Sequence, residues 1–209
     1  MKPTSNNIIR PILIGITGGI GSGKSYICHQ LEQTGHHVFY CDDVAKQIIR
    51  TQADVKRELT ALVGPDVYDA AGQLVKSVLA AYLCRGTDYS HRIDQIVHPR
   101  VAAAFKQQAA LLRPSTPTTL ECNEKVISLQ LLQQLPTDGV LFMECALLFE
   151  SGFDQLVDKS VVVHVSQETQ LKRLIGRDHI SREKALRWIS LQLAEDVKVD
   201  RADYVINNE

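Results

Sequence analysis

The sequence predicts an α/β fold: a parallel sheet flanked by helices, with a helical insertion and a small lid. Three observations carry that expectation. Apolar, β-branched runs alternate with amphipathic helical runs at both ends of the chain. A glycine-rich turn joins the first such run to the first helix. Between about 44 and 112 the strand pattern gives way to helical spacing alone. Strands separated by helices pair in parallel and are covered on both faces. The 209 residues suit one large domain, or a core with a smaller insertion, since domains average about 150 residues.

Taken in order, Ile8 to Thr17 (IIRPILIGIT) has the composition and length of a buried strand. Gly18, Gly19, Gly21 and Gly23 break it, and SYICHQLEQTG reads as a helix closed by Gly35. Val38 to Cys41 is a second short strand. Asp42 and Asp43 at its carboxyl end open the next helix, where acidic side chains suit the helix dipole. Helical spacing follows in DVKRELTALVG, QLVKSVLAAYL and HRIDQIVHPRVAAAFKQQAALL, and Arg113 to Thr119 (RPSTPTT) is a loop or boundary. Gly139 to Cys145 and Ser160 to Ser166 are buried strands by composition. QETQLKRLIGR and SREKALRWISLQL are amphipathic helices, and DYVIN is a last short strand.

Composition narrows the function classes. Hydrophobic residues make up 44% and charged residues 22%, as in ordinary globular chains. Lys plus Arg (23) nearly balances Asp plus Glu (24), so no overall basic field attracts nucleic acid, although a local site for a small anion remains open. The five cysteines (28, 41, 84, 122 and 145) form no C-x-x-C and are odd in number, so neither a disulfide framework nor a zinc site is expected. With the polar start MKPTSNN, which lacks the apolar stretch of an export signal, they point to the cytoplasm. The apolar runs VLFM and ALLF, split by Glu144, fall well short of the ~18 residues that span a bilayer. The seven histidines suggest no metal site, and Trp188 reads as packed on its amphipathic helix.

The chemistry begins at Gly18 to Ser25 (GGIGSGKS), which satisfies G-x-x-x-x-G-K-[ST] in its proper context, after a buried strand and opening a helix. Backbone N–H groups across Gly19, Ile20, Gly21, Ser22 and Gly23 converge on phosphate oxygens, and the helix N-terminus adds positive potential. Lys24 reaches the β and γ phosphates and the Ser25 hydroxyl ligates magnesium, so the expected ligands are a nucleoside triphosphate and Mg2+ on a P-loop NTPase core. No N-K-x-D reads guanine, and the D-x-x-G at Asp69 to Gly72 lies in the helical insertion and reads as a turn. Gln170 to Gln192 carries Lys172, Arg173, Arg177, Arg182, Lys184 and Arg187, with Arg173 and Arg177 on one helical face. Cations there would close on a transferring phosphoryl group and exclude water; a solvated charged helix is the equal alternative. Asp42 stands at the sheet edge where ligands bind and suits a general base. An N-cap role competes with that reading, Asp43 competes with Asp42, and spacing does not choose between them. Glu144, ending a buried strand, would hold magnesium through water or form a salt-bridged strand end.

With these residues in place, the chain resembles the dephospho-CoA kinases. The resemblance runs from about Ile12 to Asn208 and rests on GITGGIGSGKS (15–25), IVHPRV (96–101), LLFESGF (147–153), Q-L-K-R-L-x-x-R-D (170–178), Gln192 and ADYVINN (202–208). It implies ATP-dependent phosphorylation of the ribose 3′-hydroxyl of dephospho-CoA, the last step of coenzyme A synthesis; direct in-line transfer, needing no covalent intermediate, is the expected mechanism. It also implies three parts: a nucleotide-binding core (8–43, 118–172 and 193–209), a helical acceptor domain (44–117) and a lid (173–192). It places the catalytic carboxylate on Asp42 rather than Asp43, and His98, before Pro99, in the acceptor domain with Lys76. It brings Arg173 and Arg177 to ATP, and Asn207 near the adenine. A monomer or weak homo-oligomer, acting on a small molecule away from nucleic acid and membrane, is the expected form.

The sequence departs from that pattern in places. Tyr40 stands where the family has the first Asp of Asp-x-Asp, so the local electrostatics around Asp42 differ. Ala146 replaces a proline, and Lys76 replaces an arginine and with it any bidentate phosphate contact. The 113–136 segment is longer than in the family. The chain stops at Glu209, where relatives add a glycine turn and another helix; a weaker core or adenine site is the expectation there. Three other readings stand beside the resemblance: a nucleoside monophosphate kinase on the same core, a nucleotide-dependent switch, and an inactive relative. The absent guanine motif and the basic lid count against the switch.

Overall fold

The computed structural model describes residues 9–209; Ile8, where the first strand and the core range 8–43 are expected to begin, lies outside the described residues. The order is β1 (Ile12–Thr17), α1 (Lys24–Gln33), β2 (His37–Tyr40), α2 (Cys41–Thr51), α3 (Ala53–Val63), α4 (Lys76–Leu83), α5 (Thr87–Leu111), α6 (Leu129–Gln133), β3 (Val140–Glu144), β4 (Lys159–His164), α7 (Gln167–Asp178), α8 (Arg182–Ser190), α9 (Glu195–Arg201) and β5 (Tyr204–Asn207). Two compact units emerge: one ends at Phe39 and resumes from Gln108 to Glu209, and the other is Tyr40–Gln107. The insertion expected at 44–117 overlaps the second unit.

In the first unit the strands are ordered β2-β3-β1-β4-β5. The β1–β3, β1–β4 and β4–β5 pairings are parallel. All five residues of β3 and the central four of β4 are buried, as continuous apolar strands in a doubly covered sheet must be. The chain runs from β1 to the edge strand β2, returns to β3 between the two, then crosses to β4 and β5 on the other side of β1. The carboxyl end of β1 is therefore the switch point, where open parallel sheets bind ligands. The register brings Ile16 opposite Glu144 and Thr17 opposite Val162, so the loop leaving β1 starts between the buried end of β3 and the buried middle of β4.

Several boundaries differ from the sequence expectations for local reasons. β1 starts at Ile12, whose N–H bonds to Gly139 O at 2.9 Å; Pro11 before it has no N–H to offer a ladder. β2 covers His37–Tyr40, and Cys41 already belongs to α2. The 113–119 stretch is irregular as expected, but the segment beyond it holds α6, capped by Ser128 Oγ accepting from Leu131 N–H at 3.3 Å. It also holds a parallel bridge from Val126 to Val205. α9 leaves no signal in the sequence, since seven residues carry too little periodicity to show.

The second unit is helical. Ile93, Val97, Val101 and Phe105 form a four-residue stripe on α5, buried as are Val55 and Leu59 of α3. Arg100 ties α5 to α3 through Asp54 (2.9 Å) and Glu58 (2.5 Å). Asp69 to Gly72 is the turn the sequence suggested: Asp69 Oδ1 accepts the N–H groups of Ala71 (2.9 Å) and Gln73 (2.8 Å).

Candidate active site

The loop from Gly18 to Gly23 leaves the switch point and runs straight into α1. Its shape requires glycine at two places in particular. At Gly23, φ is 94° and an added Cβ would strike the Asn208 side-chain amide. At Gly18, φ is 146° and a Cβ would collide with Val163 O of β4. Ser22 N–H closes the turn on Gly19 O at 3.1 Å. Lys24, buried to 9% exposure, turns its ammonium back on the loop, donating to Gly18 O (2.9 Å) and Gly19 O (3.3 Å).

Ile20, Gly21, Gly23, Lys24, Ser25, Arg173 and Arg177 line one cavity of about 420 Å³. Arg173 donates to Ser22 O at 3.1 Å and to Asn208 O at 2.6 Å, and Asn208 Nδ2 donates to Ser22 O at 2.8 Å. The cavity is thus rimmed by a lysine, two arginines and a helix N-terminus, an arrangement built for a polyanion. Arg177, one turn beyond Arg173, forms a two-point pair with Asp178 (2.9 and 2.8 Å). That pairing holds the Asp178 carboxyl below its usual range and raises the guanidinium. A nucleotide would compete with Asp178 for this cation.

Beneath the loop, burial pushes the Cys28 thiol up, with the charge of Glu144 adding and that of Lys24 opposing. Both charges therefore act at the base of the loop, where β3 ends in the buried Glu144. Among the described residues no cluster of three or more His, Cys, Asp or Glu side chains would enclose a metal ion. The oxygen donors present, the exposed Ser25 hydroxyl beside the cavity and the Glu144 carboxylate, nevertheless fit magnesium. That ion keeps several waters and takes most remaining ligands from substrate phosphates.

In the second unit, Asp42 and Asp43 occupy the first turn of α2. Asp43 accepts from Lys46 Nζ at 2.9 Å, a contact that raises the lysine pKa. The exposed Asp42 makes no side-chain hydrogen bond or ion pair among the described residues, and its carboxylate is available. Tyr40 holds the N-cap position of α2 without a side-chain cap bond. Lys76 opens α4 and is exposed. His98, on α5, sits 3.4 Å from Asp94 one turn earlier.

The structure therefore gathers Gly21, Gly23, Lys24, Ser25, Arg173 and Arg177 around one cavity and places Asp42, Lys76 and His98 on three helices of the other unit. Asn207 ends β5 opposite His164 and is exposed, whereas its neighbour Asn208 reaches the loop. The sequence reading passed over Asn208, although the doubled Asn at a strand end offered both candidates; only the strand register separates them. It also gave no role to Gln170, 3% exposed against Gly19, or to Gln192, whose Oε1 accepts the Ile20 N–H at 2.7 Å.

Gly23→Ala should weaken ADP binding at least tenfold and destabilise the chain by about 1–3 kcal/mol, because a Cβ meets both a left-handed φ and the Asn208 amide. Calorimetric ADP titration and urea unfolding measure the two effects.

A family model described as dephospho-CoA kinase matches residues 12–122 and 124–209. A dephospho-CoA kinase of Bacteroides fragilis is 35% identical over 198 residues, covering 95% of this chain and 85% of the relative. One from Fusobacterium nucleatum is 32% identical, covering 94% and 89%. Among solved structures, a Thermus thermophilus protein superposes with a TM-score of 0.73 at 27% identity, covering 96% of this chain and 90% of that one. A Campylobacter jejuni dephospho-CoA kinase shares the fold, with a TM-score of 0.60 at 21% identity and coverage of 94% and 87%.

Proposed function

The chain belongs to the dephospho-CoA kinase family, and on that premise we propose that it transfers the γ-phosphoryl group of ATP to the ribose 3′-hydroxyl of dephospho-CoA, giving CoA and ADP. The observation that carries the nucleotide half is the cavity between the phosphate loop and Arg173, where Lys24, Ser25 and two guanidiniums meet. The acceptor half rests on family membership and on the free carboxylate of Asp42.

In this reading the loop N–H groups and Lys24 hold the β and γ phosphates, and Lys24 exchanges the Gly18 and Gly19 carbonyls for phosphate oxygens. Asp42 accepts the proton of the 3′-hydroxyl as its oxygen attacks phosphorus in line; the P–O bond to the β phosphate breaks and ADP leaves. Arg173 and Arg177 offset the charge that develops on the transferring group, and Asn207 and Asn208 border the adenine. Lys76 and His98 contribute to the acceptor domain. Ser25, together with Glu144, would hold magnesium, which would supply charge neutralisation for the nucleotide phosphates. We assign the reaction to the cytoplasm. The five cysteines are all free thiols, and no described helix is long and apolar enough to cross a membrane.

The test is chromatographic. The chain is mixed with ATP and magnesium, and with dephospho-CoA, AMP or CMP as acceptor. CoA and ADP should accumulate one to one with dephospho-CoA alone. ADP that forms without CoA, or transfer to a nucleoside monophosphate in preference, overturns the assignment.

A further inference from the structure

Gln192 ends the segment read as the lid, just past α8, and its Oε1 accepts the backbone N–H of Ile20 in the phosphate loop at 2.7 Å. The next residue, Leu193, donates its N–H to Glu150 Oε1 at 3.0 Å. That same oxygen lies 3.8 Å from Lys198 Nζ on α9. Lys198 is completely buried and its ammonium has no hydrogen bond among the described residues. A buried ammonium is rarely kept unless it is paired, since desolvation strongly disfavours it. Here the facing charge is a carboxylate whose other partner is the backbone beside Gln192. α9 is fastened to the same turn at its far end, where Arg201 meets Asp154 at 3.2 Å and stacks 4.6 Å from the Phe149 ring.

We propose that Gln192 is a positioning residue for the phosphate loop, held in place by Glu150 and its pairing with the buried Lys198. The loop works by presenting N–H groups in a fixed curve, and a loop already bent to that curve when empty has less ordering to do on binding. Gln192 satisfies the Ile20 N–H from outside the cavity and pins the loop's first half. Glu150, neutralised by Lys198, keeps Leu193 and therefore Gln192 in register with Ile20. Nucleotide affinity then depends on two charges that never touch nucleotide, and the lid's return to the core is the connection between them. This rests on the loop binding nucleotide, and not on which acceptor is used.

The experiment measures ADP affinity by calorimetry and the KM values for ATP and dephospho-CoA in the wild type, Gln192→Ala, Lys198→Met and the double variant, with thermal unfolding alongside. Gln192→Ala should weaken ADP binding about tenfold, the scale of one lost hydrogen bond. It should raise KM for ATP in proportion, and leave KM for dephospho-CoA and the melting temperature near wild type. Lys198→Met should weaken ADP binding similarly alone and add little in the Gln192→Ala background, because both act through one contact. If Lys198→Met does not fold, Glu150→Ala takes its place in the cycle. Unchanged ADP affinity in Gln192→Ala, or full additivity of the two substitutions, overturns the proposal. A wild type that binds no ADP overturns this and the nucleotide reading together, whereas one that binds ADP without making CoA overturns only the acceptor assignment.

Discussion

Lys24→Ala is expected to lower kcat by about 10²–10³-fold, the loss typical of removing one preorganised charge donor from a developing oxyanion. The reason lies in where the ammonium is held. It is nearly buried under the loop, bonded to the Gly18 and Gly19 carbonyls, and beside the cavity it shares with Arg173 and Arg177. A cation kept in a pocket screened from bulk water interacts more strongly with phosphoryl oxygens than one in solvent, and needs little reorganisation during transfer. Neither arginine can substitute: Arg173 already spends hydrogen bonds on Ser22 O and Asn208 O, and Arg177 is paired with Asp178. Initial-rate measurement of CoA formation at saturating ATP and dephospho-CoA reads the loss in kcat, and near-ultraviolet dichroism confirms that the variant is folded. A variant that keeps wild-type kcat would mean that the loop amides alone carry the phosphates.

The phosphate loop was legible because its function forces its spelling. Gly18 and Gly23 are required by backbone collisions and positive φ, Lys24 and Ser25 complete the motif, and all lie within eight consecutive positions. The strands β1, β3 and β4 were legible for a similar reason, since burial on both faces leaves only apolar β-branched or aromatic runs. What escaped is what depends on distant partners. Gln192 and Ile20 are 172 positions apart, and nothing near Gln192 indicates that its amide will meet a loop N–H. Asn208 and Asn207 are chemically identical neighbours separated by strand register alone. Lys198 looks like a surface lysine in EDVKVDR, and only the packing of α9 buries it. The choice between Asp42 and Asp43 rests on family resemblance, because spacing does not decide it; in the structure Lys46, three residues along α2, engages Asp43.

Asp42→Asn should reduce kcat by about 10²–10⁴-fold while KM for ATP and dephospho-CoA stays within a few-fold of wild type. A general base acts on the proton that leaves in the transition state, so its loss falls on turnover more than on ground-state binding. Asparagine preserves the size and the N-terminal helical position of Asp42, and Asp42 has no side-chain partner among the described residues to lose. The change in stability is accordingly expected within about 0.5 kcal/mol. Asp43→Asn is the matched control one residue away. It keeps the helix position but gives up the 2.9 Å ion pair with Lys46, an exposed pair worth about 0.3–0.5 kcal/mol, and turnover should change less than threefold. The comparison separates proton transfer from the general effect of removing a negative charge at the start of α2, because both substitutions remove one. If the two variants lose turnover equally, the effect is electrostatic and no single carboxylate is the base. If Asp42→Asn keeps turnover and Asp43→Asn does not, the roles are reversed, and the Lys46 contact must open before the acceptor hydroxyl can be deprotonated.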